Sequence, residues 1–249
     1  PAVAPGGTIR FFDVQGDALV AQDSTGVVTL MEPASGRVRW SAEVANPLTR
    51  FVGINRLRTD RADLVVVSGE SEVFQLSAQT GNLVSRQSYD KVVNTRPVLI
   101  GQLAIYGTSR GEVLAHHLGT GFKAWGFGTS GSIETTPVVV GGLVATVSSN
   151  GEFTFLEPSR GGLIARGAMY AGIACDAAAS DDLLIAASTD QSLWGLSPSG
   201  NSVWRVRTSA ALRTSPVIHA GVVYASLPDR GFCAFDAATG QIRKILKSM

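Results

Sequence analysis

The chain has 249 residues, of which 45% are hydrophobic and 16% are charged, a balance that excludes an intrinsically disordered protein. Lysine and arginine number 21 against 20 aspartates and glutamates, which gives no support to binding of nucleic acid or an acidic membrane surface. No apolar stretch reaches the roughly 20 residues that a membrane-spanning helix needs, and two cysteines are too few for a disulfide framework.

A short turn signature recurs six times along the chain and ends each time in glycine. The six turn glycines lie 45, 40, 40, 39 and 40 residues apart, at Gly36, Gly81, Gly121, Gly161, Gly200 and Gly240. Three copies place a tryptophan four residues after the glycine, at Trp40, Trp125 and Trp204. A repeat of this length points to an array of similar supersecondary units, in which these tryptophans are predicted to be structural packing residues.

Each copy has the pattern of an all-β unit. The fourth copy alternates short β-branched and aromatic runs with Gly, Asn, Pro and Ser turns, and it predicts strands at 137–140, 143–147, 152–156 and 163–169. No window shows a convincing 3.6-residue apolar period, so helices should be nearly absent. The sequence therefore predicts an all-β fold, a β-propeller with six blades of four-stranded antiparallel sheets.

The blades should make up one domain over residues 1–249. We place them at 8–40, 48–86, 95–126, 135–166, 173–205 and 213–247. The second copy is lengthened by an insertion from Asn55 to Asp63, which carries Arg56, Arg58 and Arg61. Both terminal copies look complete, which leaves open whether side-chain packing alone closes the ring or further blades exist. Since the chain starts at Pro1 rather than methionine, we expect that a leading segment, with any anchor it carried, has been removed.

The sixth copy carries the closest resemblance to a known family. Residues 215–224 (Ser-Pro-Val-x-x-x-Gly-Val-Val-Tyr) and 231–240 (Gly-Phe-Cys-Ala-Phe-Asp-Ala-Ala-Thr-Gly) resemble the pyrroloquinoline-quinone-type repeat. That repeat builds the propellers of quinoprotein dehydrogenases, of BamB lipoproteins of outer-membrane assembly, and of sensor domains in some bacterial receptor kinases. The resemblance implies a non-catalytic scaffold of the periplasm or cell envelope that binds an envelope or membrane protein. Its alternatives are an extracellular sensor domain and a degenerate quinoprotein dehydrogenase.

Residues for catalysis, a metal or a cofactor are not expected. Quinoprotein enzymes share an adjacent cysteine pair, whereas Cys175 and Cys233 lie in different copies and are interpreted as small core residues without a disulfide. His116 and His117 are neighbours on a predicted strand, point to opposite faces and cannot easily share an ion. His219 stands near a turn. We therefore predict that the protein is not an enzyme and uses no cofactor.

The topology predicts that many charged loop residues lie at one end of the sheets. In an up-and-down blade, the turn between strands two and three lies at the same end as the connection from strand four to the next blade. Since arginine offers bidentate contacts to carboxylates, this end could bind an acidic segment of a protein, and ordinary solvated loops are the alternative. The candidate partner-binding residues are Arg50, Arg96, Glu134 and Arg213 in the connections and Arg110, Asp190 and Arg230 in the turns, with Asp23, Glu70, Asn150 and Asp229 beside them.

Overall fold

The computed structural model describes residues 7–45 and 48–246, and in these residues it contains 24 strands and no helix. The strands form six separate four-stranded sheets, in each of which neighbours in space are neighbours in sequence. The predicted all-β fold class is confirmed, and six antiparallel sheets of this kind are the composition of a six-bladed β-propeller.

Each sheet takes four consecutive strands of the chain. The first three sheets contain β1 (Ile9–Gln15), β2 (Ala18–Asp23), β3 (Val27–Met31), β4 (Val38–Glu43), β5 (Phe51–Arg58), β6 (Asp63–Gly69), β7 (Glu72–Ser77), β8 (Leu83–Ser88), β9 (Val98–Ile100), β10 (Leu103–Gly107), β11 (Glu112–His117) and β12 (Phe122–Gly128). The last three contain β13 (Val138–Val140), β14 (Leu143–Val147), β15 (Glu152–Leu156), β16 (Leu163–Ala168), β17 (Ala178–Ala179), β18 (Leu184–Ser188), β19 (Ser192–Leu196), β20 (Ser202–Arg207), β21 (Val217–His219), β22 (Val222–Leu227), β23 (Gly231–Asp236) and β24 (Ile242–Leu246).

Contacts between residues divide the chain into two compact units. One unit consists of residues 1–104 and 116–123, and the other consists of residues 105–115 and 124–249. The boundary passes through the third sheet. The interpretation of residues 1–249 as one domain stays a prediction.

The insertion in the second copy lengthens the β5–β6 hairpin. Arg56 donates to both oxygens of Asp63 at 2.8 and 2.7 Å and to Asp17 of the first sheet at 2.7 Å, and Arg58 reaches Asp17 at 2.9 Å. The hydrogen bond from Arg56 holds the pKa of Asp17 at about 2. The inserted arginines 56 and 58 therefore join the first sheet to the second by charge-assisted hydrogen bonds.

Successive residues of the inner strands bury against opposite neighbouring sheets, which accounts for the scarcity of charge. In the fifth sheet, Leu184 and Trp194 pack in a cluster with the fourth sheet. Ile185 and Leu193, one position along on the same strands, pack in a cluster with the sixth. Side chains of a strand alternate between its two faces, so a sheet covered on both sides needs apolar residues at consecutive positions.

The repeated tryptophans join the first sheet to the second, the third to the fourth and the fifth to the sixth, each contact lying within one unit, as predicted for packing residues. Each indole N–H donates to the carbonyl three residues before the next turn glycine, at 2.7 to 2.9 Å: Trp40 to Ala78, Trp125 to Pro158 and Trp204 to Ala237. In the second copy, where no tryptophan is present, the amides of Gln75 and Gln87 donate to the corresponding carbonyl of Leu118 at 2.9 and 2.7 Å. The contact is thus retained with different chemistry.

His116 is a core residue of the third sheet. Its side chain is almost fully buried, with Nε2 2.8 Å from Oε1 of Gln87, and Nδ1 has no hydrogen-bond partner. The ring edge meets Tyr89 at 5.1 Å between ring centroids. Burial, with a smaller contribution from neighbouring His117, lowers the pKa of His116. His116 is therefore a buried packing residue that contacts Gln87 at the end of the second sheet and Tyr89 just after it.

This burial predicts a loss of stability in mild acid. Because the folded state resists protonation of His116 and the unfolded state does not, the free energy of unfolding should fall as the pH drops below about 6.5, by up to about 1.4 kcal/mol per pH unit. His116→Gln, which can still contact Gln87 but cannot titrate, should flatten this dependence between about pH 5.5 and 7.5. Urea unfolding at several pH values measures this dependence, with replacement of the exposed His219 by glutamine as the control. An unchanged slope in His116→Gln would assign the dependence to other groups.

One face of the sixth sheet is buried, and the other leaves several large apolar side chains partly exposed. Its Val223 and Phe235 pack in the cluster shared with the fifth sheet. The opposite face exposes Val217, Phe232 and Leu246 by 59%, 45% and 40%. The corresponding positions of the fifth sheet, among them Leu193, are covered by the sixth.

Candidate functional site

The two kinds of charged loop lie together within each unit. The backbone N–H of Tyr89, just after β8, donates to the carbonyl of Ser71 in the β6–β7 turn at 2.9 Å. In the other unit, Met169 after β16 donates to Gly151 in the β14–β15 turn at 2.9 Å, and Thr129 donates to Gly111 at 2.7 Å. We call this end of the sheets, formed by the turns between second and third strands and by the connections after the fourth, the loop end.

In the first unit, the two predicted arginines contact different acids. Arg50 is highly exposed and lies 2.9 Å from Glu70 of its own sheet. Arg96 pairs with Asp13 and donates to the carbonyl of Ile54 at 2.7 Å. Its stem covers Gly53, where a Cβ atom would lie 2.5 Å from Cγ of Arg96. Arg96 therefore links β1, β5 and the connection before β9, and Arg50 is the more accessible of the two.

Asp23, beside these candidates, has a structural role. Its Oδ1 accepts hydrogen bonds from the backbone N–H and the hydroxyl of Thr25 at 2.9 and 2.7 Å and from the N–H of Val27 at 3.1 Å. Burial raises the pKa of Asp23, but these hydrogen bonds outweigh it and the pKa is lowered. The carboxylate shapes the β2–β3 turn and is not presented to a partner.

In the second unit, four predicted residues remain accessible at the loop end. Arg110 and Arg213 are exposed, and neither makes an ion pair within the part of the chain that the structure describes. Glu134 accepts a hydrogen bond from the Ser132 hydroxyl at 2.8 Å, and Arg230 contacts its neighbour Asp229 at 3.2 Å. These side chains remain available for contacts with another molecule.

Asp190 differs from the other candidates because its carboxylate is buried and engaged. Only 6% of the side chain is exposed. Its Oδ2 accepts a hydrogen bond from the indole N–H of Trp194 at 3.1 Å and lies 3.5 Å from Arg205. The Arg205 guanidinium lies 4.6 Å from the ring centroids of both Tyr170 and Trp194. Asp190 thus helps to hold an aromatic–arginine cluster made of Tyr170, Asp190, Trp194 and Arg205.

Tyr170 was not among the predicted residues. The residue is 77% exposed although the Arg205 guanidinium lies over one face of its ring. Cation–π contacts of this kind fix a ring without burying it, and tyrosine and arginine are enriched where proteins bind each other tightly. A comparison of the copies would have found it, because the same position of the other copies holds small or polar residues: Ala45, Asp90, Ser130 and Ser209.

The described residues hold no group of three or more His, Cys, Asp or Glu side chains arranged for a metal ion. Cys175 and Cys233 are free thiols, and burial raises the pKa of both. The same part of the chain contains no helix long and apolar enough to cross a membrane.

Comparisons with known proteins place the chain among repeat propellers. A family model described as outer membrane protein assembly factor BamB matches residues 7–127 and 167–244. The fold is similar to the crystal structure of BamB from Moraxella catarrhalis, with a TM-score of 0.72, 20% identity, and coverage of 95% of this chain and 75% of that one. It is also similar to the computationally designed Ika8 protein, with a TM-score of 0.80, 13% identity, and coverage of 99% and 76%. No curated protein matches the sequence.

Proposed function

Because the chain belongs to the family of the outer membrane protein assembly factor BamB, we propose that it is a non-catalytic protein-interaction scaffold of the bacterial cell envelope. The family match over two long stretches of the chain is the observation that carries this proposal. Periplasmic location and a role in outer-membrane assembly belong to the same proposal. The chemistry of the loop end supports an interaction role, since it holds accessible arginines and an exposed, fixed aromatic ring.

The proposed mechanism is presentation of preformed side chains by rigid sheets. Sheets buried on both faces have little freedom to rearrange, so the loops that hydrogen bond to them lose little conformational entropy on binding. Tyr170 is held by Arg205 before any partner arrives. Arg110 and Arg213 supply cationic groups that suit carboxylates of an acidic segment. The partner class is therefore an acidic loop or peptide of an envelope or membrane protein.

Capture from a bacterial envelope extract tests this proposal. Immobilised wild-type chain should retain an envelope protein, and Arg110→Glu combined with Arg213→Glu should reduce the retained amount by about tenfold, since reversal replaces attraction with repulsion at two contacts. Tyr170→Ala should reduce it independently. The matched control is Arg61→Glu combined with Arg160→Glu, which reverses two exposed arginines in turns at the other end of the strands.

Two results would contradict the scaffold role. One is equal capture by the loop-end variant, Tyr170→Ala and the control. The other is turnover of alcohols or sugars by the purified chain with added quinone and calcium, which would favour a quinoprotein dehydrogenase instead.

A further inference from the structure

A groove of about 670 Å³ lies between the fifth and sixth sheets, at the end of the strands away from the loop end. Three turns line it: residues 179–183 before β18, residues 218–221 before β22, and residues 236–238 before β24. The N–H of Ala237 donates to the carbonyl of Gly221 at 3.0 Å and fixes two of these turns to each other. Two turns of the sixth sheet are therefore held together along one side of the groove.

The floor of the groove is apolar. Leu183 and Ala237 are buried parts of the cluster between the two sheets, and Ile218 packs against that cluster. Val203 on β20 leaves about half of its side chain exposed at the groove. An aliphatic side chain placed here would remove apolar surface from water on both sides.

The charges at the groove do not balance. Asp236 accepts a hydrogen bond from Arg243 at 2.5 Å, which holds the pKa of Asp236 at about 2, so these two charges offset each other. Asp181 and Asp182 are exposed beside them and make no ion pair among the residues that the structure describes. Two carboxylates without a counter-charge thus border an apolar floor.

A second groove shows that this arrangement is not a general property of the repeat. It measures about 370 Å³ and lies at the corresponding place beside the turn from Thr59 to Ala62. Its exposed charges are one acid, Asp60, and one base, Arg61. The groove between the fifth and sixth sheets is the larger of the two and the one with unbalanced negative charge.

We propose that the groove between the fifth and sixth sheets binds an extended peptide segment of a partner protein in which lysine or arginine stands next to an aliphatic residue. This inference rests on the proposed interaction role and assigns to it a second surface of opposite charge preference. The aliphatic side chain contacts Leu183, Ile218 and Val203. The cation lies at Asp181 and Asp182, where charge complementarity selects basic over acidic segments.

Fluorescence anisotropy with two labelled octapeptides tests the assignment. The acetylated, amidated peptide Gly-Ser-Leu-Lys-Leu-Lys-Ser-Gly should bind the intact chain, and the peptide with glutamate in place of both lysines should not. Asp181→Asn combined with Asp182→Asn should weaken binding by about 2- to 30-fold, the range for two partly exposed ion pairs. Raising the salt concentration from about 50 mM to about 500 mM should weaken wild-type binding similarly.

Two further variants separate the groove from the rest of the surface. Ala238→Trp, at an exposed turn position, should obstruct the groove without changing its charge and abolish binding. Asp60→Asn removes an exposed acid in the second groove and should leave binding unchanged. The inference is overturned if the lysine peptide fails to bind, or if Ala238→Trp or the double variant Asp181→Asn/Asp182→Asn binds it as tightly as the wild type. Capture of an envelope protein through the loop end would survive that result, so failure of this inference is distinguishable from failure of the proposed function.

Discussion

Replacing Gly161 with alanine is expected to lower the free energy of unfolding by about 3 kcal/mol, since overpacking adds to a left-handed backbone conformation. Gly161 has φ +69°, and a Cβ atom there would lie 2.4 Å from Cε3 of Trp125. The indole cannot simply move away, because its N–H donates to the carbonyl of Pro158 at 2.8 Å and its body is buried. The added methyl group therefore destabilises the fold in two ways, through the left-handed backbone conformation and through the close contact with the Trp125 ring.

Gly36 is the matched control for this substitution. It occupies the same position of the repeat with φ +68°, and a Cβ atom there would meet no atom within 4 Å. Gly36→Ala should therefore show only the conformational cost, about 1 kcal/mol. In the background of Trp125→Ala, the effect of Gly161→Ala should shrink toward that of Gly36→Ala. Denaturant unfolding curves give the free energy of unfolding of the three single variants and the double variant. Equal losses of unfolding free energy at Gly36 and Gly161 would show that contact with the indole does not cause the loss at Gly161.

The fold could be predicted because the repeat carries the same information six times. The strands predicted for the fourth copy at 143–147 and 152–156 coincide with β14 and β15. Turn glycines and β-branched runs determine structure over a few neighbouring residues, so the strand boundaries of each copy can be predicted from that copy alone. The role of the tryptophans could also be predicted, because one residue type at one repeat position indicates packing between repeats.

The sequence could not predict in the same way which candidate residues are free to contact another molecule. Arg96 and Arg213 occupy equivalent connections, yet Arg96 pairs with Asp13, 83 residues earlier in the chain, and Arg213 is exposed. The Asp190 side chain is buried, and its carboxylate contacts Trp194 and Arg205. Topology places a side chain at one end of a sheet, but its partners come from elsewhere in the chain and decide whether it can contact another molecule.

The groove illustrates the same limit for acidic residues. Asp181, Asp182 and Asp236 are all in turns or at their edges, and the sequence does not distinguish them. Arg243 neutralises Asp236 because the turn after Asp236 leads directly into β24, which carries Arg243. Asp181 and Asp182 are recognised as carboxylates without a counter-charge only when the structure shows which acids have basic partners.

Equivalent side chains of the fifth and sixth sheets should differ strongly in their contribution to stability. Leu193 in the fifth sheet and Phe232 in the sixth occupy equivalent positions, since Leu193 pairs with Ala187 and Val206 and Phe232 pairs with Ser226 and Leu246. Leu193 is fully buried. Leu193→Ala should therefore cost about 3 kcal/mol of unfolding free energy, from lost transfer energy and the cavity left behind.

Phe232→Ala should cost about 1 kcal/mol or less, although phenylalanine is the larger side chain. Nearly half of Phe232 is exposed, and its main aromatic contact is a stacked arrangement with Tyr224 at 6.1 Å between centroids. Surface substitutions that leave no cavity have small effects. Denaturant unfolding of both variants at several protein concentrations provides the comparison. A loss at Phe232 as large as that at Leu193 would mean that the exposed face is covered in solution, and a loss that grows with concentration would identify the cover as a second copy of the chain.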